Sequence, residues 1–354
     1  MNFNIFNISK TGGSGRWLAA MMLAIILLAF PLSPASASAL NDFNLIVLGN
    51  LYGSSNVAGR VVVFGDIEGN AKDIAQSSQA VTDEVDTDGL NQTDTLIVGG
   101  QIKGTVQVNN GGARVGGSAI GDQINNEDYV TYNDDSVSDI LSAVQMDIDT
   151  TLSFLDSLTT DSYVTLVTTT EGTKANFDVD AGDDNIAVFE IDASLLNSNA
   201  IPDLIGDLEN VDLIVIKVTT GDTLLIEGGF NMANEFLLAE YQSKIIWYMP
   251  DVENLTIARL MGGSVIAPNA NLTLKSAVEG TVVANNVTMN AQVHLPSLDT
   301  TAIDNQSSPA PVPEPSTYLL LSLGLLALAA LGRGRRLALP RKLRKPAFPA
   351  ETLS

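Results

Sequence analysis

The residues that could carry out chemistry are few in type, although acidic side chains are abundant. The 354-residue chain has one histidine, His294, and no cysteine. A Ser-His-Asp triad would have to use His294, and the lack of cysteine excludes thiol nucleophiles and thiolate metal sites. His294 lies in an alternating segment, residues 291–295, that is typical of a strand. We therefore predict a structural role for His294, no zinc site and no catalytic residue.

Two acidic clusters offer the oxygen ligands that calcium prefers. The first cluster, at residues 84–88, resembles part of an EF-hand loop and is followed by Gly89. Thr95, however, occupies the position at which a complete loop needs a bidentate acid. The second lies between residues 178 and 184. The alternative is that both clusters are solvated, charged loops. We predict no cofactor other than weakly bound calcium, with candidate ligands Glu84, Asp86, Asp88, Asp183 and Asp184.

The middle of the chain, residues 40–310, is strongly acidic. It contains 9 basic and 39 acidic residues, a net charge of −30. Such a body repels nucleic acid and anionic membranes and attracts cations. Residue counts leave open an acid pair for glycoside hydrolysis, but no pair stands out by position. We predict a non-enzymatic protein that does not bind nucleic acid, with a polysaccharide-cleaving enzyme as the alternative.

The N-terminal segment has the pattern of a signal peptide. Lys10 and Arg16 precede an apolar run from Trp17 to Phe30. The run is short for a membrane span, which needs about 20 apolar residues. The small residues Ala37, Ser38 and Ala39 follow it and satisfy the small-x-small rule for cleavage. We predict cleavage after Ala39, so that Leu40 begins the mature chain; the alternative is an uncleaved anchor.

The C-terminal segment combines a proline-rich motif, an apolar run and a basic cluster. The apolar run extends from Thr317 to Leu331, and by the positive-inside rule the arginines after it stay cytoplasmic. The motif and the basic cluster consist of Val312, Pro313, Glu314 and Pro315, and of Arg333, Arg335 and Arg336.

This arrangement resembles the PEP-CTERM sorting signal. The resemblance implies that an exosortase-type membrane transpeptidase reads the motif and removes the hydrophobic tail. The chain departs from the pattern by continuing for 18 residues, 337–354, beyond the basic cluster. An ordinary C-terminal anchor is the alternative.

The body contains an internal repeat of the form apolar-x-Gly-polar-apolar-x-Gly. Copies occupy residues 47–53, 63–69 and 98–104, and a weaker copy lies at 115–121. In a second array, residues 263–267 match residues 280–284 at an offset of 17. Short alternating strands with glycine at the corners, repeated at a fixed period, predict the stacked coils of a parallel β-solenoid. An antiparallel sandwich is the alternative.

One segment has helical spacing instead. Between Ser136 and Leu158, apolar residues recur every three or four positions along one stripe. We predict a single long α-helix that packs along the flank of the solenoid.

Residues 42–295 resemble the choice-of-anchor A family of bacterial exported proteins. The resemblance depends on residues 43–49, the glycine-rich repeat, the central helix and residues 263–270. It implies a location at the cell surface and gives no established chemistry.

The sequence thus predicts a mostly β protein with defined processing segments. The expected parts are a signal peptide (1–39), a choice-of-anchor A-like solenoid (40–300), a linker (301–311), a PEP-CTERM signal (312–336) and a basic tail (337–354). The expected function is that of a non-catalytic structural or adhesive protein. It would be exported, held transiently by its C-terminal helix, and released to the cell surface or matrix, with extracellular polysaccharide or other matrix components as the expected partners. An adhesin module that binds carbohydrate or ice is a further alternative.

Overall fold

Short, mostly parallel β-strands make up most of the body. We describe a computed structural model, which places residues 38–69, 72–76, 94–118, 124–125, 130–170 and 172–307. The strands of the N-terminal half are β1 Phe43–Val47, β2 Leu51–Gly53, β3 Arg60–Val63, β4 Lys72–Ile74, β5 Asp94–Val98, β6 Val106–Val108, β7 Gly112–Val115, β8 Ile124–Asn125 and β9 Val130–Tyr132. Those of the C-terminal half are β10 Tyr163–Thr169, β11 Gly172–Val179, β12 Ile186–Asp192, β13 Ile201–Gly206, β14 Leu213–Thr219, β15 Thr223–Ile226, β16 Ile245–Tyr248, β17 Asn254–Ile257, β18 Met261–Gly262, β19 Ser264–Leu274, β20 Val278–Glu279, β21 Val282–Met289 and β22 Val293–His294.

Helices are few and mostly short. The α-helices are α1 Ala39–Asp42, α2 Val137–Ser157, α3 Ala239–Gln242 and α4 Thr301–Ser307, and 3-10 turns occupy Ala193–Asn197 and Asn234–Leu237. Within the described residues, none of these helices is both long enough and apolar enough to cross a membrane.

The largest sheet joins the two halves of the chain. Its strands run in the order β12-β14-β16-β19-β21-β1-β3-β5-β7-β9, and three more, β15, β17 and β2, complete its 13 strands. Smaller parallel sheets are formed by β18-β20-β22 and by β4-β6-β8. The N-terminal strand β1 therefore lies directly against β21, near the C-terminal end of the body. These parallel registers are consistent with the predicted solenoid, and they also join the two repeat arrays in one sheet, which the sequence did not predict.

Side chains along each strand alternate between two sides, and those on the inner side form the core. In β17, Leu255 and Ile257 are buried, whereas Asn254 is exposed and Thr256 half-buried. The parallel register places Leu255 beside Leu272, and Leu272 beside Val287. Each coil thus adds apolar residues to a column that one coil could not bury alone.

Helix α2 confirms the predicted flanking helix. It follows β9 at one end of the large sheet and leads through β10 and β11 to β12 at the other end. With 21 residues it is about 32 Å long. Its apolar stripe, which includes Val144, Ile148 and Leu155, shares a core cluster with Ile46 and Val62 of the large sheet. The helix thus covers one side of that sheet.

The body extends beyond the expected boundary at residue 300. Helix α4, in the segment expected to be a linker, packs against α2 and buries Ala302 and Ile303. The described residues up to Ser307 belong to one compact unit. The described part of the body therefore ends at Ser307.

Candidate adhesive face

Two rows of polar side chains lie on neighbouring coils in the C-terminal half. The first row is Asn254, Asn271 and Asn286, and the second is Thr256, Thr273 and Thr288. Each Thr stands two positions after its Asn, so the two side chains point to the same side of their strand. We call this surface the Asn–Thr face. Its apolar intervening residues, Leu255, Leu272 and Val287, point into the core.

The Asn–Thr face holds its amides in place and leaves hydroxyls available. The Nδ2 of Asn286 donates to Oδ1 of Asn271 at 2.9 Å, and Nδ2 of Asn271 donates to the carbonyl of Glu253 at 3.2 Å. The hydroxyls of Thr256, Thr273 and Thr288 make no hydrogen bond with any residue that the structure describes, and all three side chains are half-buried. Strands are about 4.8 Å apart and residues i and i+2 about 6.6 Å apart. The face is therefore a regular array of neutral donors and acceptors.

The first row continues into the N-terminal half as a hydrogen-bonded ladder. Oδ1 of Asn286 accepts from the backbone N of Asn50 at 2.8 Å, and Oδ1 of Asn50 accepts from that of Asp66 at 2.7 Å. Oδ1 of Asp66 accepts in turn from the backbone N of Gln101 at 2.7 Å. Each side chain thus satisfies a corner amide of the next coil.

The second row changes character along the same direction. Tyr52 stands beside Thr288 in register. In the next coils the corresponding positions are Glu68 and Lys103, and Lys103 pairs with both Asp66 and Glu68. The N-terminal half of this surface is therefore charged, whereas the Asn–Thr face is neutral.

The ladder explains why the repeats require glycine. A Cβ atom at Gly65 would overlap Oδ1 of Asn50, and one at Gly100 would overlap Oδ1 of Asp66. The corner glycine makes room for the side chain that crosses it from the neighbouring coil. The backbone N–H of Gln101, followed by the Lys103 ammonium, lowers the pKa of Asp66, because both contacts favour the carboxylate form.

His294 makes contacts that suit a structural residue. Its Nδ1 lies 2.8 Å from Oε1 of Glu279, and its Nε2 lies 2.6 Å from Oε1 of Gln292. Glu279 and His294 are register partners on β20 and β22. The ring thus joins two adjacent strands at the last coil, and neither nitrogen is directed at a nucleophile.

The structure describes only two of the five candidate calcium ligands. Asp183 and Asp184 lie in an exposed turn, where Oδ1 of Asp184 accepts from the backbone N of Ile186 at 3.3 Å. Glu84, Asp86 and Asp88 lie outside the described residues. In the part of the chain that the structure covers, no group of three or more acidic or histidine side chains could hold a metal ion.

Of the residues predicted to take part in processing, the structure describes only two. Ala39 and Leu40 are buried in the body. Outside the described residues lie Ala37 and the whole sorting segment: Val312, Pro313, Glu314, Pro315, Arg333, Arg335 and Arg336.

The Asn–Thr face was not predicted from the sequence. Its signal is the triplet Asn-x-Thr, which begins at residues 254, 271 and 286. The last interval is shorter than the first because the register of β19 and β21 shifts between Ala267 and Asn271. A search for the period of 17 residues therefore misses the third copy.

Comparison with known families agrees with the fold and with the terminal motif. The model of an ice-binding-like adhesive domain matches residues 36–295, and that of the PEP-CTERM protein-sorting motif matches residues 311–336. Comparison with curated proteins and comparison with solved structures give no match. The sorting motif implies processing by an exosortase-type system, and with the adhesive domain it implies export to the cell surface or beyond. The chain belongs to the ice-binding-like adhesive domain family and carries a PEP-CTERM sorting motif.

Proposed function

We propose that this protein is a non-catalytic adhesin of the cell envelope or extracellular matrix that binds neutral, extended polysaccharide through its Asn–Thr face. The observation that carries the proposal is the register of the two rows, Asn254-Asn271-Asn286 and Thr256-Thr273-Thr288. Three coils present the same pair of polar groups at a constant spacing. A repeating ligand can meet such an array at several points at once.

The charge of the body favours a neutral ligand. With a net charge of −30 over residues 40–310, the body repels polyanionic sugars. The Asn–Thr face adds no charge of its own, and its hydroxyls and amides can both donate and accept hydrogen bonds. Chains of neutral sugars offer complementary hydroxyls along their length. We therefore expect the matrix partner to be an uncharged polysaccharide.

Two observations support a non-catalytic role: the contacts of His294, and the single carboxylate in a surface depression on α2. His294 is bonded through both ring nitrogens. A shallow depression on the outer side of α2 is lined by one carboxylate, Asp149, among Ser142, Gln145, Met146, Thr150 and Ser153. Glycoside hydrolysis needs a pair of carboxyl groups, so this depression does not supply the required acids.

Binding to insoluble polysaccharide tests the proposal. The mature protein should co-sediment with cellulose or chitin. Replacing Thr256, Thr273 and Thr288 together by Leu should weaken binding at least tenfold, because each lost hydrogen bond costs about 1 kcal/mol. Thr165→Leu is the matched control, since Thr165 is exposed on β10, away from the Asn–Thr face. Equal binding by the triple variant and the control would remove this face from the proposal.

Two further measurements distinguish the alternatives. Ice shaping or thermal hysteresis that is lost in the triple Thr variant, without polysaccharide binding, would make ice the ligand. Release of reducing sugars that is lost on changing one acidic residue in a folded protein would make the chain an enzyme. Under the proposal, His294→Gln leaves polysaccharide binding unchanged.

A further inference from the structure

The first described residues of the chain are packed into the body. Ser38, Ala39 and Leu40 are 2%, 4% and 1% exposed. Ser38 caps α1: its carbonyl accepts from the backbone N of Asn41 at 2.9 Å, and its Oγ accepts from that of Leu40 at 3.4 Å. A mature chain that began at Leu40 would lack this cap.

Helix α2 contacts Ser38 and Ala39 through the carboxylate of Asp147. Oδ2 of Asp147 accepts from Oγ of Ser38 at 2.9 Å and from the backbone N of Ala39 at 2.7 Å. Such hydrogen bonds to an ionised group contribute more than those between neutral groups. Both are lost if Ser38 and Ala39 leave with the signal peptide.

We propose that the signal peptide is cleaved between Ala37 and Ser38, two residues before the site expected from the sequence, and that the new α-ammonium of Ser38 pairs with Asp147. This inference depends on the N-terminal segment being a signal peptide. Residues 35–37, Ala-Ser-Ala, satisfy the small-x-small rule as well as residues 37–39 do. Water adds to the Ala37 carbonyl, the Ala37–Ser38 amide bond breaks, and Ser38 keeps the nitrogen as an amine that is largely protonated at neutral pH.

The surroundings of Asp147 suit an added positive charge. Asp304 of α4 lies close enough to interact with it: burial first, and then the carboxylates of Asp147 and Asp299, raise the pKa of Asp304, against an opposing hydrogen bond from Thr300. An ammonium at Ser38 would offset this repulsion between acids. Cleavage after Ala39 would instead remove the two donors that Ser38 and Ala39 supply to Asp147.

N-terminal sequencing and intact-mass measurement of protein exported from the full-length precursor test the site directly. We expect Ser38 as the first residue. A mature chain that begins at Leu40 would overturn the proposal, and an uncleaved N-terminus would overturn the signal peptide as well. Neither result affects the polysaccharide-binding test, so the two proposals fail separately.

Thermal unfolding of exported variants tests the Asp147 contact. Asp147→Asn should lower the Tm of the protein by a few degrees, whereas Asp149→Asn, on the exposed side of the same helix, should not. A precursor that lacks Ser38 and Ala39 should yield a body of lower Tm, in which Asp147→Asn has little further effect. An undiminished effect of Asp147→Asn in that shortened body would contradict a pairing with Ser38.

Discussion

Single polar side chains at the corners connect each coil to the next. Asp66 accepts from the backbone N of Gln101 and pairs with Lys103, whereas Asn50, one coil away, makes the same backbone contact without a charge. A corner position therefore needs an oxygen of the right reach more than it needs a charge. This equivalence separates the two contributions of Asp66 in an experiment.

We expect Asp66→Ala to lower the free energy of unfolding by about 1 kcal/mol, since the Gln101 N–H loses its acceptor. Asp66→Asn keeps that acceptor and should have a smaller effect. Because the pKa of Asp66 is lowered in the folded state, its charge stabilises the fold above the ordinary carboxyl pKa of about 3.9. That contribution is lost as the pH falls through the lowered value.

Urea unfolding of the three proteins at neutral and acid pH checks this expectation. The advantage of the wild type over Asp66→Asn should shrink as the pH falls, while the deficit of Asp66→Ala relative to Asp66→Asn should remain. A pH-independent difference between wild type and Asp66→Asn would contradict the role of the charge.

How far residues could be predicted from the sequence depends on whether their signal is local. The repeats indicated corner glycines at Gly65 and Gly100, but not the side chains that cross them from another coil. The Thr residues of the Asn–Thr face, at 256, 273 and 288, recur at unequal intervals and give no fixed period. Their pairing with Asn in rows becomes visible once the register of three coils is known.

Among the elements, helix α2 was the easiest to predict. Its apolar stripe repeats over 21 residues, which is a strong periodic signal. By contrast, the pairing of β1 with β21 brings Leu45 beside Val282. Contacts between segments so far apart leave no period in the sequence, so the joining of the two arrays into one stack could not be predicted.

The contact between α2 and the large sheet should contribute strongly to stability. Ile148 is 1% exposed and belongs to the cluster that joins the helix to the sheet, whereas Met146 on the same helix is 71% exposed. Ile148→Ala should lower the free energy of unfolding by about 2–5 kcal/mol. Met146→Ala should change it by about 0.5 kcal/mol or less. Denaturant unfolding of the two variants measures the difference, and equal values would mean that α2 is not held through this stripe.

At the scale of the whole molecule, the acidic charge governs the response to ions. A net charge of −30 over residues 40–310 produces self-repulsion that counterions relieve. Specific calcium binding would add stability that depends on calcium concentration. The Tm should therefore be higher in calcium than in chelator at matched ionic strength. Magnesium at the same concentration serves as the control, and equal Tm values in all three solutions would eliminate the calcium proposal.

The C-terminal sorting motif bears on where the adhesive body acts. The PEP-CTERM motif at residues 311–336 implies exosortase-type processing, and under the proposed function polysaccharide binding needs only the body. Deleting Val312 to Ser354 should therefore release a folded, polysaccharide-binding body into the medium and abolish cell-associated adhesion. Deleting only Leu337 to Ser354 is the matched control, because it keeps the motif, the apolar run and the arginines. Immunoblots of cell and medium fractions measure the outcome. If the larger deletion left the protein on the cell, the C-terminal segment would not be what holds it there.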